Sequence, residues 1–150
     1  MKSIPAHGKS VRWLLDHRTI AGYNRKNGIV GGHNKNAFDS AIAIESGRVT
    51  GRYSDPTMPG VETITYLVAA RIWAGDIIDG EFRARTYQKT VYDPAVLSDQ
   101  RVAQMSVQAS QRATFSENSS QATVTIDWFK FRVHRNQDTN SVTNVHLTHQ

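Results

Sequence analysis

The sequence predicts an α+β fold: short N-terminal helices, then a twisted antiparallel sheet with one long helix packed on it. Three observations support this. Apolar residues recur at helical spacing before residue 46. After residue 47 the period changes to strict alternation in several short stretches. A helical pattern then returns once, from Ala95 to Thr114, before the alternation resumes. Helices and strands grouped in this order suit an α+β domain better than a parallel βαβ array. The 150 residues fit one domain with a sizeable core, a helical part over 1–46 and a sheet-rich part over 47–150.

Each element has its own signal. Residues 9–18 place Val11, Leu14, Leu15 and Arg18 at helical spacing, with Ser10 as a cap. Residues 21–36 are rich in Gly and Asn, which is loop chemistry. A second short helix is expected over Ala37–Ile44. Strands are expected over Arg48–Tyr53, Val61–Val68 and from Phe82 to the stop at Asp93-Pro94. Asp55 to Gly60 is a turn. In the long helix, Leu97, Arg101, Val102, Met105 and Ala109 share one face. Ala122–Val133 reads as the strongest single strand of the chain. Asn136–Asn140 is a polar turn, and Val142–Thr148 is its hairpin partner.

Composition narrows the function. There are 18 Lys and Arg against 13 Asp and Glu, giving net charge +5. Twelve of the 18 are Arg, whose planar fork suits phosphate. Such a balance points to nucleic acid or an acidic protein partner. With no cysteine, disulfide scaffolds and Cys-based zinc sites are excluded. No stretch has the length and apolarity of a membrane span, and Met1–Pro5 opens no signal peptide. An export signal is therefore expected outside this chain.

Chemistry is expected first at His17 and His33. Two imidazoles can divide acid and base work near neutral pH. Gly31-Gly32 directly before His33 lets backbone approach a bulky anion. The second candidate is the run from Arg83 to Tyr92. On a strand, Arg83, Arg85, Tyr87 and Lys89 share one face, a cationic stripe containing an aromatic. A cation there can offset charge on a phosphorane, and Tyr87 or Tyr92 can stack on a base. His134, His146 and His149 read as surface or chain-end histidines. No carboxylates accompany the histidines at metal-site spacing, and no metal or cofactor is expected.

From His17 to His33 the chain resembles the two-histidine loop of bacterial EndoU-type ribonucleases, in which a His opens the loop and Gly-Gly-His closes it. Lys89-Thr90-Val91-Tyr92-Asp93-Pro94 is similar to a later Lys-Ser/Thr-x-aromatic-x-Pro element of those domains. The resemblance implies the fold grouping of barnase, EndoU, colicin and RelE. It implies a toxic tip of a contact-dependent growth-inhibition or related polymorphic toxin, delivered into the cytoplasm of a target bacterium. It also implies RNA, often tRNA, as substrate and a cognate immunity protein, here expected to be acidic. His17 and His33 map onto the family's catalytic histidines and Lys89 onto its lysine. Thr90 and Tyr92 map onto its base-binding pair. The fifty residues beyond Pro94 depart from the pattern, so Arg85 or a residue of the 123–128 strand (Thr123, Thr125 or Trp128) is an alternative to Lys89 or to the base-binding pair.

The implied reaction is metal-independent attack of a ribose 2′-hydroxyl on its own phosphate. It leaves a 2′,3′-cyclic phosphate and a 5′-hydroxyl. Two other readings stand beside it. Asp16-His17, Gly31-Gly32 and Asn34 or Asn36 also suit the start of an HNH-like, metal-dependent DNase. A non-catalytic basic RNA-binding module would use Tyr53, Tyr66, Tyr87 and Trp128 as stacking platforms.

Overall fold

The computed structural model describes residues 2–3, 20–24, 28–31, 33–72 and 74–149. Within them the fold is α+β. In chain order the elements are β1 (Lys2–Ser3), β2 (Ile20–Asn24), β3 (Gly28–Gly31), α1 (Lys35–Ile44), β4 (Arg48–Ser54), β5 (Val61–Leu67), β6 (Ala69–Arg71), β7 (Ile77–Phe82), β8 (Tyr87–Tyr92), α2 (Asp99–Arg112), β9 (Thr114–Phe115), β10 (Gln121–Ile126), β11 (Phe129–Arg135) and β12 (Val142–Leu147). The helix expected over 9–18, and His17 within it, lie outside the described residues.

Both helices start on a side-chain cap. Asn34 Oδ1 accepts from the backbone N–H groups of Asn36 and Ala37, which starts α1 two residues before the expected Ala37. Ser98 Oγ accepts from Arg101 N–H and starts α2. This helix begins later than the expected Ala95, because Asp93 organises a turn first. Its side chain accepts from Ala95 N–H, and its carbonyl accepts from the N–H groups of Val96 and Leu97.

The expected single sheet is replaced, among the described residues, by two three-stranded sheets and three two-stranded ribbons, every strand pair antiparallel. One sheet has the order β4-β5-β8 and the other β10-β11-β12. The cause lies in the apolar stretch 122–133. It is not one strand but a hairpin, in which Ile126 pairs with Phe129 across the turn Asp127-Trp128. Both turn residues have positive φ, 47° and 76°, which matches the right-handed twist of the flanking strands. The stretch therefore makes its own sheet with β12. The strand expected from Phe82 onward also breaks: β7 ends at Phe82, and β8 starts only at Tyr87.

Two apolar clusters sit under these sheets. Helix α2 places Val102, Met105 and Ala109 against Ile126, Phe131, Val133, Val145 and Leu147, with Met58 and Tyr92 beside them. Helix α1 places Phe38 and Ala41 with Ile64, Tyr66, Tyr87, Val91 and Ile29. Complete burial of side chains this size is worth roughly 1.5–3 kcal/mol each, so the clusters hold the two sheets firmly. Strands β8 and β12 are the edges of their sheets, and both supply residues to one cavity.

Candidate active site

That cavity has a volume of about 420 Å³. Gln88, Lys89 and Thr90 line it from β8, and Asn144, His146 and Leu147 from β12. His134, Thr148 and His149 join them. Ile29, Gly31 and His33 line it from β3 and the link to α1. No carboxylate of the described residues lines it. Nor, among those residues, do three or more His, Asp or Glu side chains form a metal-holding group.

His33 is held at both ends. Its carbonyl accepts from Tyr92 N–H at 2.8 Å, and its Nδ1 lies 2.8 Å from the carbonyl of Thr90. A carbonyl only accepts, so Nδ1 carries the proton and Nε2 is the basic nitrogen of the neutral ring. The preceding Gly31 has φ 76°, a turn that favours glycine. Next to His33, Asn34 donates through Nδ2 to Asp99 Oδ1 at 2.9 Å, and the Tyr92 hydroxyl donates to the same oxygen. One carboxylate thus ties the start of α1 and the end of β8 to α2, and His33 lies between them.

Lys89 is buried and donates from Nζ to the carbonyl of Ile29 at 3.1 Å. Ile29 N–H in turn donates to the Tyr66 hydroxyl at 2.8 Å. Strand β3 approaches this closely because Gly28 has φ 74° and no side chain. A Cβ there would lie 2.8 Å from the Tyr87 ring.

Behind His33 stands a second imidazole. The His146 ring stacks on it with centroids 5.0 Å apart and planes 8° from parallel. His134 follows, 5.1 Å from His146 between centroids. His146 Nδ1 lies 2.9 Å from the Leu147 carbonyl, so it carries the proton. The pair of Nε2 atoms of His134 and His146 lie 2.9 Å apart, which makes His134 the donor and His146 the acceptor. Burial pushes the His146 pKa down to about 4, helped by the charges of His134, Lys89 and Arg132 and opposed by the bond to Leu147. His134 is also lowered, first by burial and then by Arg132.

The structure thus brings together His33, Lys89 and Thr90 of the sequence candidates. Tyr92 is fully buried and turned to Asp99, away from the cavity lining. Tyr87 is buried and stacked on Tyr66. Arg85 precedes β8, exposed, with its guanidinium 5.2 Å above the Tyr87 ring. The expected stripe of Arg83, Arg85, Tyr87 and Lys89 along one strand face is therefore not formed, because β8 begins only at Tyr87 and both Tyr87 and Lys89 are buried. His134 and His146, expected at the surface, line the cavity instead. They meet because β11 and β12 pair Arg132 with His146 and His134 with Asn144. They lie on a diagonal of that ladder, at unequal distances from the turn 136–140, so only the strand register reveals their meeting.

No protein-family model matches the chain. Two curated proteins do. The chain is similar to proteins named tRNA nuclease CdiA. It is 30% identical over 131 residues to one from Yersinia mollaretii and 28% identical over 134 residues to one from Escherichia coli. Each match covers 85% of this chain and 4% of the relative, so the chain spans a small part of those proteins. Both matched lengths are too great to leave out the sheet-rich part. Among the described residues, no helix is long and apolar enough to cross a membrane.

Proposed function

We propose that this chain is a toxin domain that cleaves tRNA by an EndoU-like, metal-independent reaction. The observation that carries the reading is the meeting of His33 and Lys89 in one cavity that no carboxylate of the described residues lines. Similarity across 85% of the chain to proteins named tRNA nucleases supports the substrate. The fold grouping of barnase, EndoU, colicin and RelE belongs to the same proposal, as does delivery into the cytoplasm of a target bacterium.

His33 Nε2 and the imidazole of His17 divide the proton transfers. One takes the proton from the ribose 2′-hydroxyl as the O2′–P bond forms. The other gives a proton to O5′ as the P–O5′ bond breaks. The products are a 2′,3′-cyclic phosphate and a 5′-hydroxyl. Lys89 Nζ offsets the charge gained by the phosphorane oxygens. Thr90 holds the His33 tautomer through its carbonyl and offers its hydroxyl to the base. Tyr87 and Tyr92 act as the frame of this site, and Arg85 stands at its rim. Acid–base work of this kind is worth about 10²–10⁴-fold per group.

With net charge +5, the domain suits an acidic immunity protein that covers the cleft in the producing cell. The test of the reading is incubation with total tRNA and with DNA. Wild-type protein is expected to cut tRNA and leave DNA intact, and His33→Ala to cut neither. Cleavage of tRNA by His33→Ala at the wild-type rate would overturn it.

A further inference from the structure

Beside the cavity, a polar groove of about 340 Å³ lies over one face of the β4-β5-β8 sheet, whose floor includes the buried Thr63. It shares Gln88 and His149 with the cavity, so the two adjoin. Strand register builds its floor. Tyr53 pairs with Thr63 and Thr63 with Thr90, and opposite residues share a sheet face. The neighbouring row runs from Gly51 through Thr65 to Gln88. The first row is linked by hydroxyls: Thr63 Oγ1 lies 3.4 Å from Thr90 Oγ1, which lies 3.4 Å from His149 Nδ1. At its outer end Tyr53 is 55% exposed, although it belongs to a sheet with ample apolar core. Gly51 leaves the second row open.

We propose that this groove holds the unpaired nucleotide next to the one whose 2′-hydroxyl reacts, with its base stacked on Tyr53. The inference rests on the ribonuclease reading. His149 lines both, so a phosphodiester chain leaving the cavity past it runs towards this groove. The Tyr53 ring offers a stacking face to any base. The Thr63 and Thr65 hydroxyls and the Gln88 amide can each donate and accept, so they serve base or ribose edges of either polarity. No charged side chain is needed there, since Arg52 at the margin is already paired with Glu62 at 2.7 Å.

Three variants test it. Tyr53→Ala removes the stacking face, and Tyr53→Phe keeps it. Gly51→Leu fills the groove, because a Cβ at Gly51 meets only Thr65 at an ordinary 3.8 Å. With an unpaired tetraribonucleotide, Tyr53→Ala and Gly51→Leu are expected to raise KM about tenfold, the scale of one lost base stack, while kcat stays within about twofold. Tyr53→Phe is expected to match wild type. Binding of the same oligonucleotide with 2′-deoxyriboses, followed by fluorescence anisotropy, is expected to weaken in parallel. Wild-type KM and affinity in both Tyr53→Ala and Gly51→Leu would overturn the groove and leave the ribonuclease reading standing. Failure of wild-type protein to cut any RNA would overturn that reading, and the groove with it.

Discussion

The His33 ring lies face to face with the His146 ring, centroids 5.0 Å apart and planes 8° from parallel. The two rings share a cavity but not a role. His33 keeps a basic Nε2 by donating from Nδ1 to Thr90. His146 uses Nδ1 on Leu147 and Nε2 on His134, so both its nitrogens are engaged within the protein. It is a wall against which the His33 ring is stacked.

This division has a pH consequence. The His146 pKa is depressed to about 4 in the fold, from an ordinary 6.5. The unfolded chain therefore binds more protons between those values, and stability falls as pH drops from 6.5 towards 4. His134 is shifted in the same direction. A shift of this size corresponds to a few kcal/mol, at about 1.4 kcal/mol per pH unit. Thermal unfolding of wild type should lose Tm steeply over that range, and His146→Gln should lose much less. Parallel Tm profiles would show that His146 is not the group responsible.

Lys89 makes a sharper distinction between charge and packing. Lys89→Met keeps the buried stem and removes the ammonium. Cleavage is expected to fall about 10²–10³-fold, as when one preorganised donor to a developing oxyanion is lost. The Tm should change little by comparison. Lys89→Arg is not expected to rescue activity, because the planar fork does not fit a point-charge site. A Lys89→Met protein with wild-type kcat would move the cationic role elsewhere, with Arg85 next in line.

Asp99 is expected to act on the site without touching it. It accepts from Asn34, which adjoins His33, and from Tyr92, whose N–H donates to the His33 carbonyl. Asp99→Ala leaves both donors without that acceptor and should cost about 1–3 kcal/mol of stability. It should also lower kcat more than it raises KM, because the His33 anchor on Thr90 and Tyr92 loosens. Retention of wild-type kcat with the stability loss alone would limit Asp99 to a structural role.

At the far end of the molecule, Trp128 is 80% exposed with φ 76°. A left-handed conformation costs a non-glycine residue roughly 1–2 kcal/mol. Trp128→Gly should therefore raise the denaturant midpoint and leave cleavage unchanged. A fall in RNA affinity would instead assign Trp128 a stacking role.

Much of the fold was legible because local chemistry dictated it. Alternation in 48–53 and 61–68 is matched by β4 and β5, and the helical pattern from Ala95 by α2, which begins four residues later at Asp99. The hairpin at Asp127-Trp128 was hidden. Ile126-Asp127-Trp128 continues the apolar–polar alternation from Ala122, and Asp-Trp lacks the Asn-Gly or Asp-Gly signature of such turns. At the site, His33 was legible from its Gly-Gly neighbour, and Lys89 from the basic run 83–89 and a family resemblance. His134 and His146 were not legible singly, since their meeting depends on the register of β11 against β12. The buried state of Tyr87 and Tyr92 depends on helices packing over β8, which alternation within one strand does not report.

The central claim is tested most directly by the ends that cleavage leaves. Purified protein should be incubated with total tRNA, with and without EDTA, and the new termini identified. The expected result is a 2′,3′-cyclic phosphate and a 5′-hydroxyl, formed at the same rate in both conditions. Termini bearing a 5′-phosphate, or cleavage abolished by EDTA, would contradict the two-histidine mechanism and favour metal-dependent hydrolysis.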